Sequence, residues 1–535
     1  MGTLAGMADV ASRPRALTGV AAAAVALGVT QLIAVLFGPG ADARTAVGSA
    51  VIDLTPGPVK ESAIQLFGTA DKLVLTVAVL LVIGVIAGVT ARFETSRVPL
   101  GSIAIGLAGI AGAVAVMSRA GATLVDVVPA LVGAACGIAV LRFLVSGRFT
   151  DPAPPKPPSA RSGGTVIPAA GPPPDPGRRL SLLTLGFLTV GALTGVAGAV
   201  LARMRSSVAA DRNAFAAPPP LSKAPPIPPG VQPAGVTLPP FITPSADFYR
   251  IDTALSVPQL SREEWKLRIH GMVDDVVTFR FDDLAQFEVV EKVVTLTCVS
   301  NPVGGDLISN ATWTGYRVRD LLAKAGVRSE ADMVLSTSID GFTAGSPVEA
   351  MTDDRDSLLA ITMNGAPLPT EHGYPARLVV PGLYGYVSAT KWVVDLELTR
   401  FDRAEAYWTR LGWGARGPIK TQSRIDVPRS GQDVPRGAVT FGGVAWAQGR
   451  GVKAVEVRID GPDGGEGQWQ PATLGASYSK DTWRLWSFPW QADQPGDHRI
   501  SVRATDDTGA VQTSQLADVL PDGATGWHDV SFTVT

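Results

Sequence analysis

Two cysteines are the most restrictive chemical feature of this sequence. Cys136 lies inside a long apolar stretch and Cys298 in the polar half of the chain, so we expect no disulfide between them. A thiol without a disulfide partner in an exported segment needs a reason, because such thiols are normally oxidised. Cys298 is therefore either a small buried side chain or a thiolate ligand to a soft metal. Cys136 is expected to be a packing residue.

The sequence around Cys298 favours the ligand. Residues 293–297 read as a buried strand that ends at the cysteine, and Gly304-Gly305 follows in a short loop. Glycines let a large group approach the backbone closely. Further along the chain, Arg377 and Lys391 could hold a phosphate, Arg as a fork and Lys as a point charge. Either cation alone would more often be a surface charge.

Several ordered blocks then resemble one family. The Cys298 segment, His372 to Gly382, and the tail blocks at 443–446, 503–506 and 523–528 are similar to the sulfite oxidase family over roughly residues 240–535. That resemblance implies molybdenum on molybdopterin, with Cys298 as the catalytic residue and metal ligand. The positions that the resemblance assigns to cofactor binding are Tyr249, Arg250, Ser338, His372, Arg377, Thr390 and Lys391.

The chain departs from the sulfite-oxidising members of the family at two places. Those enzymes carry arginines after the ligand cysteine, where this chain has Pro302 and Val303. They also carry a tyrosine two residues before a Met-Asn-Gly block. In this chain that block is Met363-Asn364-Gly365, and Ile361 stands in the place of the tyrosine. A dianion needs positive charge nearby, so sulfite is a doubtful substrate.

Three kinds of structure are expected to position these residues. Residues 1–205 contain about five apolar stretches of the length that spans a bilayer, forming an all-α transmembrane anchor with a Pro-rich loop at 151–176. Residues 206–240 form a Pro-rich linker, expected to act as a semi-rigid spacer. Residues 241–424 mix strands and helices as an α+β molybdopterin domain. Residues 425–535 alternate in short runs, which predicts an immunoglobulin-like β-sandwich of the dimerisation type.

Charge and export signals suggest the location. Lys/Arg residues are somewhat more frequent in the loops that share a side with the N-terminus, so that side is predicted to be cytoplasmic. Everything after about residue 202 is then outside a multi-pass cell-membrane protein. Arg178-Arg179 before the last span resembles a twin-arginine export signal, although it could serve only the charge bias. Charged residues are nearly absent within the predicted spans, and Asp126, near the edge of the fourth, is the one possible exception.

The chain offers few means of its own to pass electrons. Its four histidines lie at 270, 372, 498 and 528, so no span can provide a bis-histidine haem, and no cysteine cluster could ligate an iron–sulfur centre. A separate redox partner or carrier is therefore expected, together with a small-molecule substrate, membrane lipid and a possible homodimer. A net charge of −2 gives no field for nucleic acid.

These features predict an oxidoreductase that moves an oxygen atom to or from a small substrate. Reduction of S- or N-oxides and oxidation of a sulfur compound stay open as directions. One alternative is a non-enzymatic, membrane-tethered binding or scaffold protein that retains the fold. Another is a transporter with an outer sensor, which the scarcity of ionisable residues in the spans disfavours.

Overall fold

The computed structural model describes residues 3–55, 59, 71–95, 97–118, 123–146, 176–254 and 256–535. The chain divides into two compact units, Met1–Ser207 and Val208–Thr535. Residues 151–175 of the predicted Pro-rich loop lie outside the described ranges. Each unit is taken by itself below.

The first unit is helical. Five of its helices are long and apolar enough to cross a membrane by length and composition. Helix α1 packs against α3, α5 and α6, and a Cβ added to Gly133 of α5 would lie 2.0 Å from Thr30 Oγ1 of α1. The small residues therefore permit the close helix packing that their abundance predicts. The helices are α1 Thr3–Phe37, α2 Ala43–Leu54, α3 Asp71–Arg92, α4 Leu100–Met117, α5 Val128–Val145 and α6 Pro176–Ser206.

Ionisable side chains in this unit are more numerous than Asp126 alone. Glu94 is 5% exposed and accepts hydrogen bonds from the Ser102 amide at 3.0 Å and the Ser102 hydroxyl at 2.6 Å. Arg142, in the last turn of α5, donates to the same hydroxyl at 3.4 Å. Glu94 thus caps the first turn of α4, where free amides favour a carboxylate. The cluster has a structural explanation that requires no transport path.

The second unit begins with a region of mixed secondary structure. One sheet has the order β2-β1-β10-β5-β6, and another has the order β3-β4-β7-β8 with β9 beside β7. Among the described strands of these two sheets only β1 and β10 pair in parallel, so the α+β prediction holds here without βαβ repetition. The elements are α7 Ala209–Ala214, β1 Lys266–Gly271, β2 Val277–Arg280, β3 Val289–Thr297, β4 Ile308–Arg317, α8 Val318–Ala325, β5 Met333–Ser338, β6 Thr343–Pro347, α9 Val348–Thr352, β7 Leu358–Met363, β8 Ala366–Pro367, β9 Arg377–Val379, α10 Gly385–Ser388 and β10 Val393–Thr399.

The remainder is rich in strands. Two sheets, ordered β11-β13-β17-β16 and β12-β19-β18-β14-β15, share one apolar core that includes Phe441, Trp486, Ile500 and Phe532. The domain boundary placed at 424/425 falls inside β11, which starts the first of these sheets. The strands are β11 Gln422–Val427, β12 Gln432–Val434, β13 Gly437–Trp446, β14 Val452–Asp460, β15 Gln470–Pro471, β16 Thr473–Leu474, β17 Arg484–Ala492, β18 Gly496–Asp506 and β19 His528–Val534.

The Pro-rich segment 216–240 does not extend from this unit as the expected spacer. The Leu221 amide donates to the Val289 carbonyl at 2.9 Å, and the Tyr478 hydroxyl donates to the Pro225 carbonyl at 2.7 Å. Leu238 is buried in the core of the unit. Polyproline segments expose all their backbone carbonyls, and here neighbouring donors and apolar side chains bind the segment down.

Candidate functional site

A cavity of about 110 Å³ in the second unit collects most of the predicted site residues. Strand ends, the His372 turn and α10 contribute to its wall. Its lining consists of Phe248, Tyr249, Ile251, Asp252, Thr253, Cys298, Val299, Ser300, Ser338, Asp340, Phe342, His372, Arg377, Gly385, Tyr386, Ala389, Lys391, Trp392, Trp408 and Trp413.

Cys298 reaches the cavity from the end of β3. The last five residues of that strand are all buried, which confirms the predicted buried strand. The cysteine is 9% exposed, its amide donates to the Leu307 carbonyl at 2.9 Å, and neither it nor Cys136 forms a disulfide. A sheet strand on one side and a fixed loop on the other therefore hold the thiol in position.

The loop after Cys298 is fixed by hydrogen bonds. Asn301, 7% exposed, accepts from the Leu307 amide at 2.9 Å through its side-chain oxygen. Arg424 of β11 donates to the Gly305 carbonyl at 2.9 Å, so the strand-rich region supports this loop. Val303 packs against the core and Pro302 is exposed. Neither faces the cavity, and Ile361 is fully buried in β7.

The turn at Gly373 brings the two predicted phosphate ligands together. Its φ is +115°, which favours glycine, and an added Cβ would lie 2.9 Å from Arg377 Cβ and 3.2 Å from Lys391 Cβ. A side chain here would force the Arg377 and Lys391 backbones apart. Gly373 is thus the residue that lets both cations reach one side of the cavity.

Arg377 is a buried cation with carbonyl partners. Its guanidinium donates to the carbonyls of His372 at 3.1 Å, Leu378 at 3.4 Å and Ala389 at 3.4 Å, and lies 5.1 Å from the Trp313 ring centroid. Within the described parts of the chain, no acidic side chain forms an ion pair with it. Burial lowers the pKa of Arg377 to about 10, so the guanidinium stays charged at neutral pH.

Lys391 faces a carboxylate that the sequence analysis missed. Its ammonium lies 2.8 Å from Asp252 Oδ2, and the same oxygen accepts from Arg250 Nε at 2.8 Å. Burial lowers the pKa of Lys391 to about 8, although Asp252 opposes that shift. Arg250 itself is outside the lining and reaches the cavity only through Asp252. The spacing of Arg250 and Asp252, two positions apart in the sequence, could have suggested this pair.

His372 and Tyr249 supply neutral polar groups. Burial, with Arg377 and Lys391 nearby, lowers the pKa of His372 to about 4, so its imidazole is uncharged at neutral pH. Burial, with the Cys298 thiolate adding to it, raises the pKa of Tyr249 above its usual value. The Tyr249 hydroxyl therefore keeps its proton and can donate it in a hydrogen bond.

The two predicted hydroxyl residues differ in where they face. Ser338 is 1% exposed at the end of β5 and lines the cavity. Thr390 is fully buried, and its hydroxyl lies 2.7 Å from the Ser336 hydroxyl, away from the lining. The role of Thr390 in cofactor binding stays a prediction, and its hydroxyl is hydrogen-bonded to Ser336 of β5.

Aromatic side chains that were not among the predicted site residues also line the cavity. Phe342, Tyr386, Trp408 and Trp413 all line the cavity. Trp408 and Trp413 are five positions apart in the sequence, which is the one signal that could have pointed to them. Their place in the same lining as the predicted polar residues is seen only in the folded chain.

The donor set fits an anionic, sulfur-coordinated metal cofactor. Buried charges are normally paired, yet Arg377 has only carbonyl partners, and Lys391 and Arg250 share a single carboxylate oxygen. A phosphate group would complement this excess of positive charge. Across the described ranges no three His, Cys, Asp or Glu side chains gather as a metal site. The one thiol that lines the cavity would therefore have to share a metal with ligands from the cofactor.

Comparisons with known proteins agree with this donor set. The family model "Oxidoreductase molybdopterin binding domain" matches residues 254–408. Human mitochondrial sulfite oxidase is 31% identical over 327 residues, which cover 52% of this chain and 58% of that protein. The chain thus spans 58% of the length of the mammalian sulfite oxidases it matches.

Two further similarities complete the comparison. The uncharacterized oxidoreductase YuiH of Bacillus subtilis (strain 168) is 35% identical over 154 residues, covering 29% of this chain and 74% of that protein. The crystal structure of the sulfane dehydrogenase SoxCD from Paracoccus pantotrophus aligns with 25% identity and a TM-score of 0.45. That alignment covers 52% of this chain and 76% of the other.

Proposed function

This chain belongs to the sulfite oxidase-like family of molybdopterin-binding oxidoreductases, and on that premise we propose that it transfers an oxygen atom to or from a small substrate. The observation that carries the proposal is that Cys298 shares one cavity with the buried cations Arg377 and Lys391. Molybdopterin carrying molybdenum is the cofactor of the family. When bound, it supplies a two-electron redox centre for oxygen-atom transfer.

Several residues of this chain would then hold that cofactor, each in a different way. Cys298 provides the thiolate ligand, a soft donor for a soft metal. Arg377 and Lys391 bind the phosphate, one as a planar fork and the other as a point charge. His372 is neutral and Tyr249 protonated at neutral pH, so both act as hydrogen-bonding groups that orient the pterin or a substrate oxygen without adding charge.

The substrate we propose is an S- or N-oxide, or a sulfur compound oxidised in the reverse direction. Sulfite is disfavoured because the cations that line the described cavity, Arg377 and Lys391, are engaged by the cofactor in this scheme. Val299 and Ser300 follow the cysteine along the lining and carry no charge. A dianion would therefore enter without a counter-charge of its own.

The cellular setting is also part of the proposal. Five long apolar helices support a multi-pass anchor in the cell membrane, with the residues after about 202 outside the cytoplasm. Arg178-Arg179 then acts as a twin-arginine signal, which suits export of a domain already folded around its cofactor. The strand-rich region, whose two sheets share one apolar core, is in this proposal an immunoglobulin-like dimerisation domain, and a separate redox protein or carrier exchanges electrons with the site.

The test compares Cys298→Ser with Cys136→Ser in the full chain purified in detergent. We expect Cys298→Ser to abolish dye-linked reductase activity and to lower molybdenum content, while circular dichroism shows an unchanged fold. Cys136→Ser should match the unmodified protein in both measurements. Unchanged turnover in Cys298→Ser would overturn the ligand assignment. Absence of molybdenum from the unmodified protein, prepared from cells that make the cofactor, would instead support the non-enzymatic binding or scaffold alternative.

A further inference from the structure

Five aromatic rings at the cavity form a continuous row. The Tyr386 and Trp413 centroids are 5.9 Å apart, and those of Trp413 and Trp408 are 6.1 Å apart. Trp408 meets Tyr407 at 5.2 Å, and Tyr407 meets Phe342 at 5.9 Å. Aromatic pairs at these separations stabilise one another, so the row forms a fixed wall. All of its members except Tyr407 line the cavity.

The row is supported from behind. The Trp413 amide donates to the Trp408 carbonyl at 3.2 Å, and the Gly414 amide donates to the Pro521 carbonyl at 2.8 Å. The Tyr386 hydroxyl donates to the Gly414 carbonyl. Trp413 is 5% exposed and Tyr386 is 7% exposed. These contacts hold the rings by backbone and packing, so the wall is a preformed surface.

No member of the row is charged, and the charged residues of the described lining are Asp252, Asp340, Arg377 and Lys391. Lys391 is paired with Asp252, and Arg377 is assigned to the cofactor in the scheme above. The remaining charged residue of the described lining is Asp340, whose Oδ1 accepts from the Phe342 amide at 3.2 Å at one end of the row. A carboxylate beside aromatic faces repels anions and accommodates neutral or weakly cationic groups.

We propose that the Phe342–Tyr407–Trp408–Trp413–Tyr386 row selects the substrate, favouring a neutral organic oxide with an apolar or aromatic body over an inorganic oxyanion. This inference rests on the proposed function, because it assigns the substrate class of the same site. For a sulfoxide the reaction is R₂SO + 2e⁻ + 2H⁺ → R₂S + H₂O. The S–O bond breaks, sulfur regains a lone pair, and oxygen leaves as water with two protons from solvent. The two electrons come from the reduced redox partner, or from a reduced viologen dye in the assay.

Trp408 is the residue to change, because it is partly exposed within the row and contacts rings on both sides. Trp408→Leu removes the ring and keeps an apolar side chain, and Trp408→Phe keeps a smaller ring. Trp469 gives the matched control: it packs against Trp527 and Arg503 in the strand-rich region and is not part of the cavity lining.

The experiment uses the molybdenum-loaded full chain in detergent with reduced viologen as the electron donor. Dimethyl sulfoxide, methyl phenyl sulfoxide and nitrate serve as acceptors, and calorimetry measures binding of methyl phenyl sulfoxide. We expect kcat/KM for methyl phenyl sulfoxide to exceed that for dimethyl sulfoxide by about tenfold, an order set by one ring-to-ring contact. Trp408→Leu should remove most of that ratio, Trp408→Phe part of it, and Trp469→Leu none.

The outcomes separate this inference from the proposed function. Faster turnover of nitrate than of either sulfoxide, or a ratio near one in the unmodified protein, overturns the inference while oxygen-atom transfer stands. Equal losses for both sulfoxides in Trp408→Leu also overturn it. If a molybdenum-loaded protein turns over no acceptor, the proposed function fails and calorimetry tests the aromatic row by itself. Binding of methyl phenyl sulfoxide that is weakened by Trp408→Leu but not by Trp469→Leu then supports substrate selection by the row. Absence of binding overturns both the inference and the proposed function.

Discussion

The Lys391 ammonium lies 2.8 Å from Asp252 Oδ2, an oxygen that also accepts from Arg250 Nε at 2.8 Å. One carboxylate therefore faces two cations, and the nearby Arg377 has no acidic partner among the described residues. The polar side of the cavity carries more positive than negative charge. That excess is the electrostatic complement of a phosphate. Cofactor retention by the holoenzyme should therefore depend on the charge state of Lys391.

Retention of the cofactor should fall as the pH rises through about 8. Burial lowers the pKa of Lys391 to about 8, and Asp252 limits the decrease. Asp252→Asn removes the carboxylate, so the pKa of Lys391 falls further and the loss of retention should move about one unit lower in pH. Molybdenum content after gel filtration between about pH 6 and 9 measures the effect.

The apoprotein should show the opposite dependence on pH. The unfolded chain keeps the Lys391 proton up to the ordinary pKa of 10.5, whereas the folded chain loses it near 8. The contribution of this residue to stability therefore rises across that window.

Asp353→Asn is the matched control for the retention measurement, since Asp353 pairs with Arg355 and is absent from the lining. Retention curves that coincide for Asp252→Asn and Asp353→Asn would contradict the assignment.

The strand that delivers Cys298 was predictable because its signal is local. Residues 293–297 are apolar or β-branched, and the structure places them at the buried end of β3. The Asp252–Lys391 pair was not predictable in the same way, because 139 positions separate the two residues. Only folding brings such a carboxylate and such an ammonium together.

Gly373→Ala should destabilise the protein by about 2–3 kcal/mol, through positive-φ strain and a steric clash. The φ of +115° is unfavourable for alanine, and its Cβ would approach Arg377 Cβ to 2.9 Å. Gly412→Ala is the control, because its φ of +96° carries a similar backbone penalty with no heavy atom within 4 Å. Urea unfolding of the full chain in detergent, followed by tryptophan fluorescence, compares the two.

The difference between these two alanine variants isolates the steric term. Gly412→Ala should cost about 1 kcal/mol, the order of positive-φ strain alone. Gly373→Ala should also lower molybdenum content, because the backbones that carry Arg377 and Lys391 must separate. Equal destabilisation by the two variants, with molybdenum unchanged, would show that Gly373 serves only the turn.

Composition predicts the backbone conformation of the Pro-rich segment but not its packing. Proline content fixes φ and predicts an extended backbone, and that part needs no tertiary information. Whether an extended segment stays in solvent depends on the surface beside it. Here Leu221 bonds to Val289 of β3 and Pro225 accepts from Tyr478. Those partners lie far along the chain, and composition carries no information about them.

The aromatic row also could not be predicted from the sequence. Trp408 and Trp413 are visible in the sequence, but a tryptophan in a loop is more often a packing residue than a cavity wall. Phe342, which lies between β5 and β6, joins them through Tyr407. The family resemblance did not supply this row either, because its motifs describe the cofactor side. Substrate selection therefore had to be inferred from the folded cavity.

Tyr374→Phe should weaken the packing of α7 against the His372 turn, because it removes a hydrogen bond to Asp211. The Tyr374 hydroxyl donates to Asp211 Oδ2 at 2.7 Å, and Arg262 donates to Oδ1 at 2.8 Å. Burial alone would raise the pKa of Asp211, but hydrogen bonds from Arg262 and Tyr374 outweigh it and lower the pKa below its usual 3.8. Because the Asp211 acceptor is charged, the hydroxyl should contribute about 1–2 kcal/mol of stability.

That contribution should depend on pH with a defined sign. A carboxylate whose folded pKa is lowered adds stability above its usual pKa of 3.8 and loses it as the pH falls through the folded value. Tyr478→Phe is the matched control, because the Tyr478 hydroxyl donates at the same 2.7 Å to the neutral Pro225 carbonyl. Urea unfolding should show a Tyr374→Phe deficit that is constant above about pH 5 and shrinks below about pH 4, while the Tyr478→Phe deficit stays level. A Tyr374→Phe deficit that persists undiminished in acid would show that the Asp211 charge does not stabilise this contact.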